Sequence, residues 1–480
     1  MAHSYETVIG LEIHVQLSTA SKAFCGDSTR FGAAPNTQVS AISLGHPGTL
    51  PRLNEQQVAY AIRLGLALGS DIQRYNTFDR KNYFYADLPK GYQITQDARP
   101  VCVGGRLPIR VGDETRYVRI HHIHMEEDAG KSMHDSDDPF SYIDLNRAGV
   151  PLLEVVTEPD LRSAEEVDAC MSAMRQLVQY LGISDGNMQE GSMRCDCNVS
   201  IRPMGSQQLG QRCEIKNLNS MRYARRAIAY EVNRQIELVE SGGQVEQETL
   251  NFDPVTGVTS PLRSKEDAHD YRYFPEPDLL PVNVSEEQLA ALAASQPKLP
   301  WVWLDELQTT NGLSTYDAEL LTSTRTLAEF FEAMTTHTDD YKAIANLLIN
   351  KVAPWCKEQG LEPADFPVAP GALAAFLQLI KDGQVSNSIA YQELFPRLLE
   401  QPTVAPAALA KAHNLIQETD TDWLAQLADE VIAAFPDKAA AYRKGKKGLI
   451  GFFMGETMKR SQGKAEPKQM NELLRERLEG

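Results

Sequence analysis

Apolar and polar positions alternate strictly at the start of the chain. Ile9, Leu11, Ile13, Val15 and Leu17 fall on one side, and Gly10, Glu12, His14 and Gln16 on the other. That period predicts a half-buried strand over residues 6–18. Because side chains repeat every two residues, Glu12 and His14 point the same way, about 7 Å apart. They are either a pair of metal ligands or part of a solvated polar face. A second clear strand spans 193–202, with Met193, Cys195, Cys197, Val199 and Ile201 opposite Arg194, Asp196, Asn198, Ser200 and Arg202. Both thiols lie on its apolar side and no second cysteine pair has matching spacing, so they read as buried thiols rather than zinc ligands. Its charged side suits a substrate groove.

Residues 117–123 are strand-like again, and 141–156 carries Asp144, Arg147 and Glu154 among apolar neighbours. Glu154, between Leu153 and Val155, reads as buried, and an unpaired carboxylate there is costly. A metal ion or an arginine such as Arg147 would pair it. Helical spacing appears over 54–68. It recurs after Ser163, which with Glu166 has the form of a capping box, in the stripe Val167, Cys170, Met174, Leu177, Val178 and Leu181 up to Gly182. A further helix spans 222–240, before Gly242-Gly243. After about Leu299 alternation gives way to helical spacing, as in 327–334 and 341–352, and Pro402 to Pro406 marks a linker. The expected architecture is α+β: a sheet-built catalytic cradle over 1–293, a helical domain over 294–405 and a small helical tail over 406–480.

The densest chemistry lies in His121 to Lys131, reading HHIHMEEDAGK. Gly130-Lys131-Ser132 looks like the close of a phosphate-binding loop, but Met125 stands where that loop needs glycine. Glu126, Glu127 and Asp128 would repel phosphates unless a hard cation sat between, so a nucleotide is expected to be held through Mg²⁺. Upstream, Asp79 to Tyr85 and Pro89 to Gln93 are rich in Lys, Tyr and Gln. Such loops suit a polar anionic ligand, or simply cap a sheet.

Charge alters this picture in one place. The chain of 480 residues carries a net charge of -18, which argues against indiscriminate nucleic-acid binding. Residues 443–464 nevertheless hold Arg443, Lys444, Lys446, Lys447, Lys459, Arg460 and Lys464 against the single acid Glu456, a docking surface for phosphates. Seven scattered cysteines fit reduced thiols. No run approaches the ~18 apolar residues of a membrane span, and no signal peptide is visible at the N-terminus, so a cytoplasmic location is expected.

Together, Val8 to His14, Asp79 to Tyr85, His124 to Lys131, Asp144 to Arg147 and Tyr271 to Asp278 resemble the B subunit of the aspartyl/glutamyl-tRNA amidotransferases, the GatB family. The resemblance runs from residue 5 to the C-terminus. It implies ATP-dependent conversion of tRNA-bound Glu or Asp to Gln or Asn, by phosphorylation of the side-chain carboxylate and displacement of phosphate by ammonia. It also implies Mg²⁺ ligands at Glu12, His14, Glu127 and Glu154, catalytic roles for Lys81, Glu127 and Asp128, and tRNA contacts in the tail at Arg443, Lys444, Lys446, Lys447, Lys459 and Arg460. Tyr85, Tyr92, Gln93, Arg147 and Arg194 are the expected contacts to ATP or substrate.

One departure stands out. Many family members bind zinc through a Cys-x-Cys and a later Cys-x-x-Cys, where this chain has Cys25-Gly26-Asp27 and Ser40-Ala41-Ile42-Ser43. No structural zinc is expected, and the loop would be held by packing instead. Nor is there an amidase signature, so ammonia is expected from a partner. By resemblance this is the amidase A subunit, with a small C subunit clamping the pair. Two competing readings remain: a free-standing ligase using ammonia from solution, and an RNA-binding scaffold with merely structural carboxylates.

Overall fold

The computed structural model describes residues 5–134, 140–218, 220–262, 271–417, 421–461 and 463–479. The chain divides into two compact units, 1–302 and 303–480, the division falling inside the helix Pro300–Thr309. No helix among the described residues is long and apolar enough to cross a membrane.

In the first unit the early strands are β1 (Tyr5–Gln16), β2 (Asp71–Ile72), β3 (Tyr75–Asn76), β4 (Asp79–Asn82), β5 (Tyr92–Thr95), β6 (Cys102–Val103), β7 (Arg106–Val111) and β8 (Glu114–Glu127). They are followed by β9 (Lys131–His134), β10 (Ser141–Asp144), β11 (Pro151–Thr157), β12 (Met193–Pro203), β13 (Cys213–Leu218), β14 (Glu248–Phe252) and β15 (Thr259–Pro261). Last come β16 (Phe274–Pro275) and β17 (Val282–Asn283). Ten of these strands form one sheet in the order β15-β14-β13-β12-β1-β11-β8-β6-β2, with β7 paired to β8. Its pairs are antiparallel except β13 with β14. A smaller sheet, β16-β4-β5, sets Lys81 opposite Gln93. The segment 272–278 thus contributes a short strand, and Arg80 ties it down through Glu276 at 2.7 Å and Asp278 at 3.1 Å.

Three helices cover the apolar side of the large sheet: α1 (Glu55–Leu68), α2 (Ala164–Tyr180) and α3 (Met221–Glu240). A fourth, α4 (Glu286–Ala294), packs on α1. Asn54 caps α1 by accepting from the Gln56 N–H at 2.9 Å, and Gly69 ends it in the left-handed region. The expected capping box of α2 is only half formed. Ser163 accepts from the Glu166 N–H at 3.2 Å, but the Glu166 carboxylate goes to Arg116 and to the Arg162 N–H instead. With helices on one side, Ile9, Leu11, Ile13 and Val15 are sealed in the core, and the alternate positions of β1 face the opposite side.

The second unit is helical and carries two apolar clusters, one from Leu307 to Leu415 and one from Leu424 to Leu478. The helix Pro406–Ala412 gives Leu409 and Ala410 to the first cluster and packs on Pro370–Lys381. We therefore propose that the divide between these bodies lies after this helix rather than at 406. The continuous helix expected over 341–352 is α-helical to Leu347 and then passes through a π turn, Leu348–Val352.

Candidate active site

Pairing register between strands distant in sequence assembles the polar side of the sheet. Across β12, β1, β11 and β8, Arg194 lies opposite His14, His14 opposite Glu154, and Glu154 opposite His124. The neighbouring row sets Asp196 beside Glu12, and Val156 beside His122. These rows floor a cleft of about 1840 Å³, whose walls include Lys81, Tyr83, Tyr85, Gln93, Tyr271 and Tyr273.

Among the described residues, two groups have side-chain ligand atoms close enough to share a metal ion, within 4.8 Å of one another. The first is His14, Glu126 and Glu154. His14 Nε2 lies 3.1 Å from Glu154, and His124 Nε2 3.5 Å from the same carboxylate oxygen. Burial pushes Glu154 up, but His124, His14 and Lys81 outweigh it and hold the carboxyl well below its ordinary value. Burial likewise lowers His14, yet the charge and hydrogen bond of Glu154 raise it overall. His122, half-buried between His124 and His121, is pulled down to about 4 by desolvation and by those two neighbours. Glu154, expected to pair with a metal or with Arg147, is thus met by two histidines. Arg147 instead clamps the turn after the acidic cluster, donating to the carbonyls of Ala129 at 3.0 Å and Gly130 at 2.6 Å. Gly130 is required there, since a Cβ would stand 2.8 Å from the Asp87 carbonyl.

The second group is Glu12, Asp196 and Glu214. It already contains a cation, for Lys216 Nζ lies 3.1 Å from Asp196 and 2.7 Å from Glu214. Burial, then Glu154 and Glu214, raise the Glu12 carboxyl above its ordinary value, while Asn198 donates to it at 2.9 Å. Glu12 and His14 share a strand face as expected, yet they fall into different groups.

Glu127 lies apart from Glu12, His14 and Glu154, beside which it was expected: consecutive strand residues face opposite ways, and it is Glu126 that shares the face of His122 and His124. The Glu127 carboxylate accepts from the Ile94 N–H at 2.9 Å and from Lys90. Asp128 is buried too, and Gln16 donates to it at 2.7 Å and Arg194 at 2.8 Å. Burial would raise its pKa, but Arg194 and Arg147 bring it below the ordinary value. Replacing Arg194 with Met should therefore destabilise the first unit by about 1–3 kcal/mol, read as earlier unfolding in urea. A carboxylate with a depressed folded pKa stabilises above its unfolded value of about 3.9 and loses that contribution as pH falls through the folded one. The gap between wild type and Arg194→Met should accordingly close below about pH 4; a gap that persists there would mean the arginine acts through packing.

The other expected residues divide. Lys81 sits in the cleft, its Nζ 3.6 Å from Glu126 and 5.1 Å from the centre of the Tyr271 ring. Burial opposes its charge, but Glu126 and Glu154 raise its pKa overall. Tyr85 lines the cleft and is half exposed. Gln93 lines it as well, with its amide engaged by Tyr83 and by the Glu127 carbonyl at 2.7 Å. Tyr92 is not among the lining residues, and its ring lies under Arg80 at 4.2 Å. In the tail, Arg443, Lys444, Lys446, Lys447, Lys459 and Arg460 are all exposed. Arg443 donates to the Leu478 carbonyl at 3.0 Å and Lys447 pairs with Glu479 at 2.7 Å, so these two also brace the last helix. Reasoning from sequence placed Glu126 and His124 in the acidic stretch without joining them to His14 and Glu154, and it missed Lys90 as the partner of Glu127. The period of two along β8 was the available signal for the first pair; nothing local signalled Lys90.

Residues 7–290 match the family model described as the GatB/GatE catalytic domain, and residues 329–478 match the one described as the GatB domain. The chain belongs to the GatB family. It is 48% identical over 475 residues to the B subunit of the aspartyl/glutamyl-tRNA(Asn/Gln) amidotransferase of Nitratidesulfovibrio vulgaris (strain DP4), covering 99% of both chains. To the corresponding B subunit of Anaeromyxobacter sp. (strain Fw109-5) it is 49% identical over 480 residues, again with 99% of each covered. The B subunit of Geobacter sulfurreducens is 48% identical over 481 residues, covering 99% of this chain and all of that one. As a GatB-family subunit, the chain takes part in converting misacylated Glu- or Asp-tRNA to Gln- or Asn-tRNA. The cleft lies wholly within the residues matched to the catalytic-domain model.

Proposed function

We propose that the cleft uses ATP to phosphorylate the side-chain carboxylate of Glu or Asp esterified to tRNA, and that ammonia then displaces phosphate. The supporting observation is the convergence of two carboxylates, Glu126 and Glu154, with His14, where His14 and Glu154 line a cleft large enough for a nucleotide and an aminoacyl end. A carboxylate is a poor electrophile, and phosphorylation gives it a leaving group. The two anions that must meet, nucleotide and carboxylate, need positive charge between them.

The residues present fit a hard divalent cation such as Mg²⁺, with anionic oxygens from Glu126 and Glu154 and an imidazole from His14. Such an ion, when bound, neutralises phosphate oxygens. The chain itself supplies the rest. Lys81 brings a half-buried positive charge to the edge of the cluster. Arg194 fixes Asp128, which holds Gln16 on β1 beside the cluster. Gln93 binds the main chain at Glu127 and keeps the end of β8 in place. Glu127 and Asp128 therefore act by positioning, and Tyr85 and Tyr273 offer ring faces to the ligand. Lys444, Lys446, Lys459 and Arg460 bind tRNA phosphates. Ammonia comes from an amidase A subunit, with a small C subunit completing the heterotrimer.

The test uses the assembled heterotrimer and tRNA charged with glutamate carrying heavy oxygen in its side-chain carboxylate. Phosphorylation of that carboxylate predicts one heavy oxygen in the released phosphate for each amide formed. Unlabelled phosphate at normal amide yield would exclude it.

A further inference from the structure

Beyond the cleft, the loop following β1 brings four side chains together. Cys25 Sγ donates to Asp27 Oδ2 at 3.2 Å and lies 3.8 Å from Ser43 Oγ. The Ser43 hydroxyl and, at 2.9 Å, the Ser40 N–H donate to the same Asp27 oxygen. Ser40 Oγ is buried and has no hydrogen-bond partner among the described residues. The spacing, 25-x-27 and 40-x-x-43, is that of the two knuckles of a four-ligand zinc site. The donors do not fit that ion. There is one thiol, whose ionisation burial opposes, and there are two neutral hydroxyls. Burial pushes the Asp27 carboxyl up, but hydrogen bonds from Ser43, Cys25 and Ser40 bring it below its ordinary value. The loop is therefore held neither by a metal nor by packing alone.

What it holds shut is a cavity of about 20 Å³, the size of roughly one water molecule. Phe24, Cys25, Ile42 and Ser43 form one wall, and Lys90 and Glu127 lie on the other. Glu127 is in turn bonded to β5 through Ile94, and its carbonyl to Gln93 in the cleft. Lys22, fully buried in the same loop, ties it to the far side by donating to the carbonyls of Gln38 at 2.8 Å and Leu145 at 3.3 Å. A loop free to open would let bulk water reach the Lys90–Glu127 pair behind the cleft.

We propose that Asp27 is a positioning residue for amide formation: its metal-free hydrogen-bond clip closes the loop over the Lys90–Glu127 cavity and keeps bulk water from reaching the cleft from behind. The proposal rests on the kinase reading of the cleft in one respect, that water reaching the activated carboxylate wastes ATP. Loss of the clip then appears as uncoupling, meaning more ATP hydrolysed per amide formed.

The experiment compares three forms of the heterotrimer, each with and without chelator: wild type, Asp27→Ala, and the triple variant Asp27→Cys, Ser40→Cys, Ser43→Cys. Wild type should contain no stoichiometric zinc by elemental analysis and should keep its coupling in chelator. Asp27→Ala should raise ATP hydrolysed per amide on the order of tenfold. The triple variant should take up one zinc per chain, couple like wild type when loaded, and uncouple when stripped. One zinc in the wild type would overturn the proposal, as would wild-type coupling in Asp27→Ala, or a zinc-loaded triple variant that stays uncoupled. Zinc content and the heavy-oxygen label are independent readouts, so failure of the clip and failure of the kinase reading are distinguishable.

Discussion

Replacing Glu126 with Gln should lower tRNA-dependent ATP turnover on the order of 100-fold or more, while glutamine hydrolysis by the amidase partner continues. The substitution keeps the shape of the side chain and removes one of the two buried carboxylates that meet at His14. It also leaves Lys81 with one charge fewer to face. Glu127→Gln removes a charge that points to Lys90 and the Ile94 N–H instead. It should disturb amide yield while retaining ATP turnover within about tenfold of wild type. Measuring both rates for both variants separates the two acids, and the reverse order of defects would return the ligand role to Glu127.

The second large effect belongs to the tail. Truncating after residue 416, past the helix that packs into the first helical body, should weaken tRNA binding and flatten its dependence on salt. Each lost phosphate contact lowers the log-log slope by roughly 0.7–0.9. Arg443 and Lys447 are partly committed to the final helix, whereas Lys444, Lys446, Lys459 and Arg460 have no ion pair among the described residues. Neutralising those four to Gln should flatten the slope nearly as much as truncation. Titration of labelled tRNA at several salt concentrations measures both. Equal slopes for truncated and full-length complexes would mean that the basic run is a solvated face.

Elements whose pattern is local were legible in the sequence. The alternation of β1 and β12, the helical stretch that becomes α1 and the apolar stripe of α2 each follow from neighbouring residues, and the structure has them in place. What depends on pairing between distant strands was not. The register that sets His14 between Arg194 and Glu154 exists only once three strands are aligned. That Glu126 and Glu127 face opposite ways was within reach of the period of two, whereas the family resemblance points to Glu127 as the ligand. The clip around Asp27 joins side chains up to 18 residues apart in a loop with no period, so only the fold reveals it. In the helical region, the π turn after Leu347 and the packing of the helix at 406–412 on the helix at 370–381 are tertiary adjustments that a helical period alone does not mark.

The central claim is that His14, Glu126 and Glu154 hold the divalent cation that serves phosphoryl transfer. Mn²⁺ in place of Mg²⁺ makes this visible to electron spin echo spectroscopy on the assembled heterotrimer with ATP, because a directly bound imidazole nitrogen modulates the echo. The wild-type complex should show that nitrogen modulation, His14→Gln should lose it, and Glu127→Gln should retain it. A wild-type spectrum without nitrogen modulation, or one abolished by Glu127→Gln and untouched by His14→Gln, would contradict the assignment.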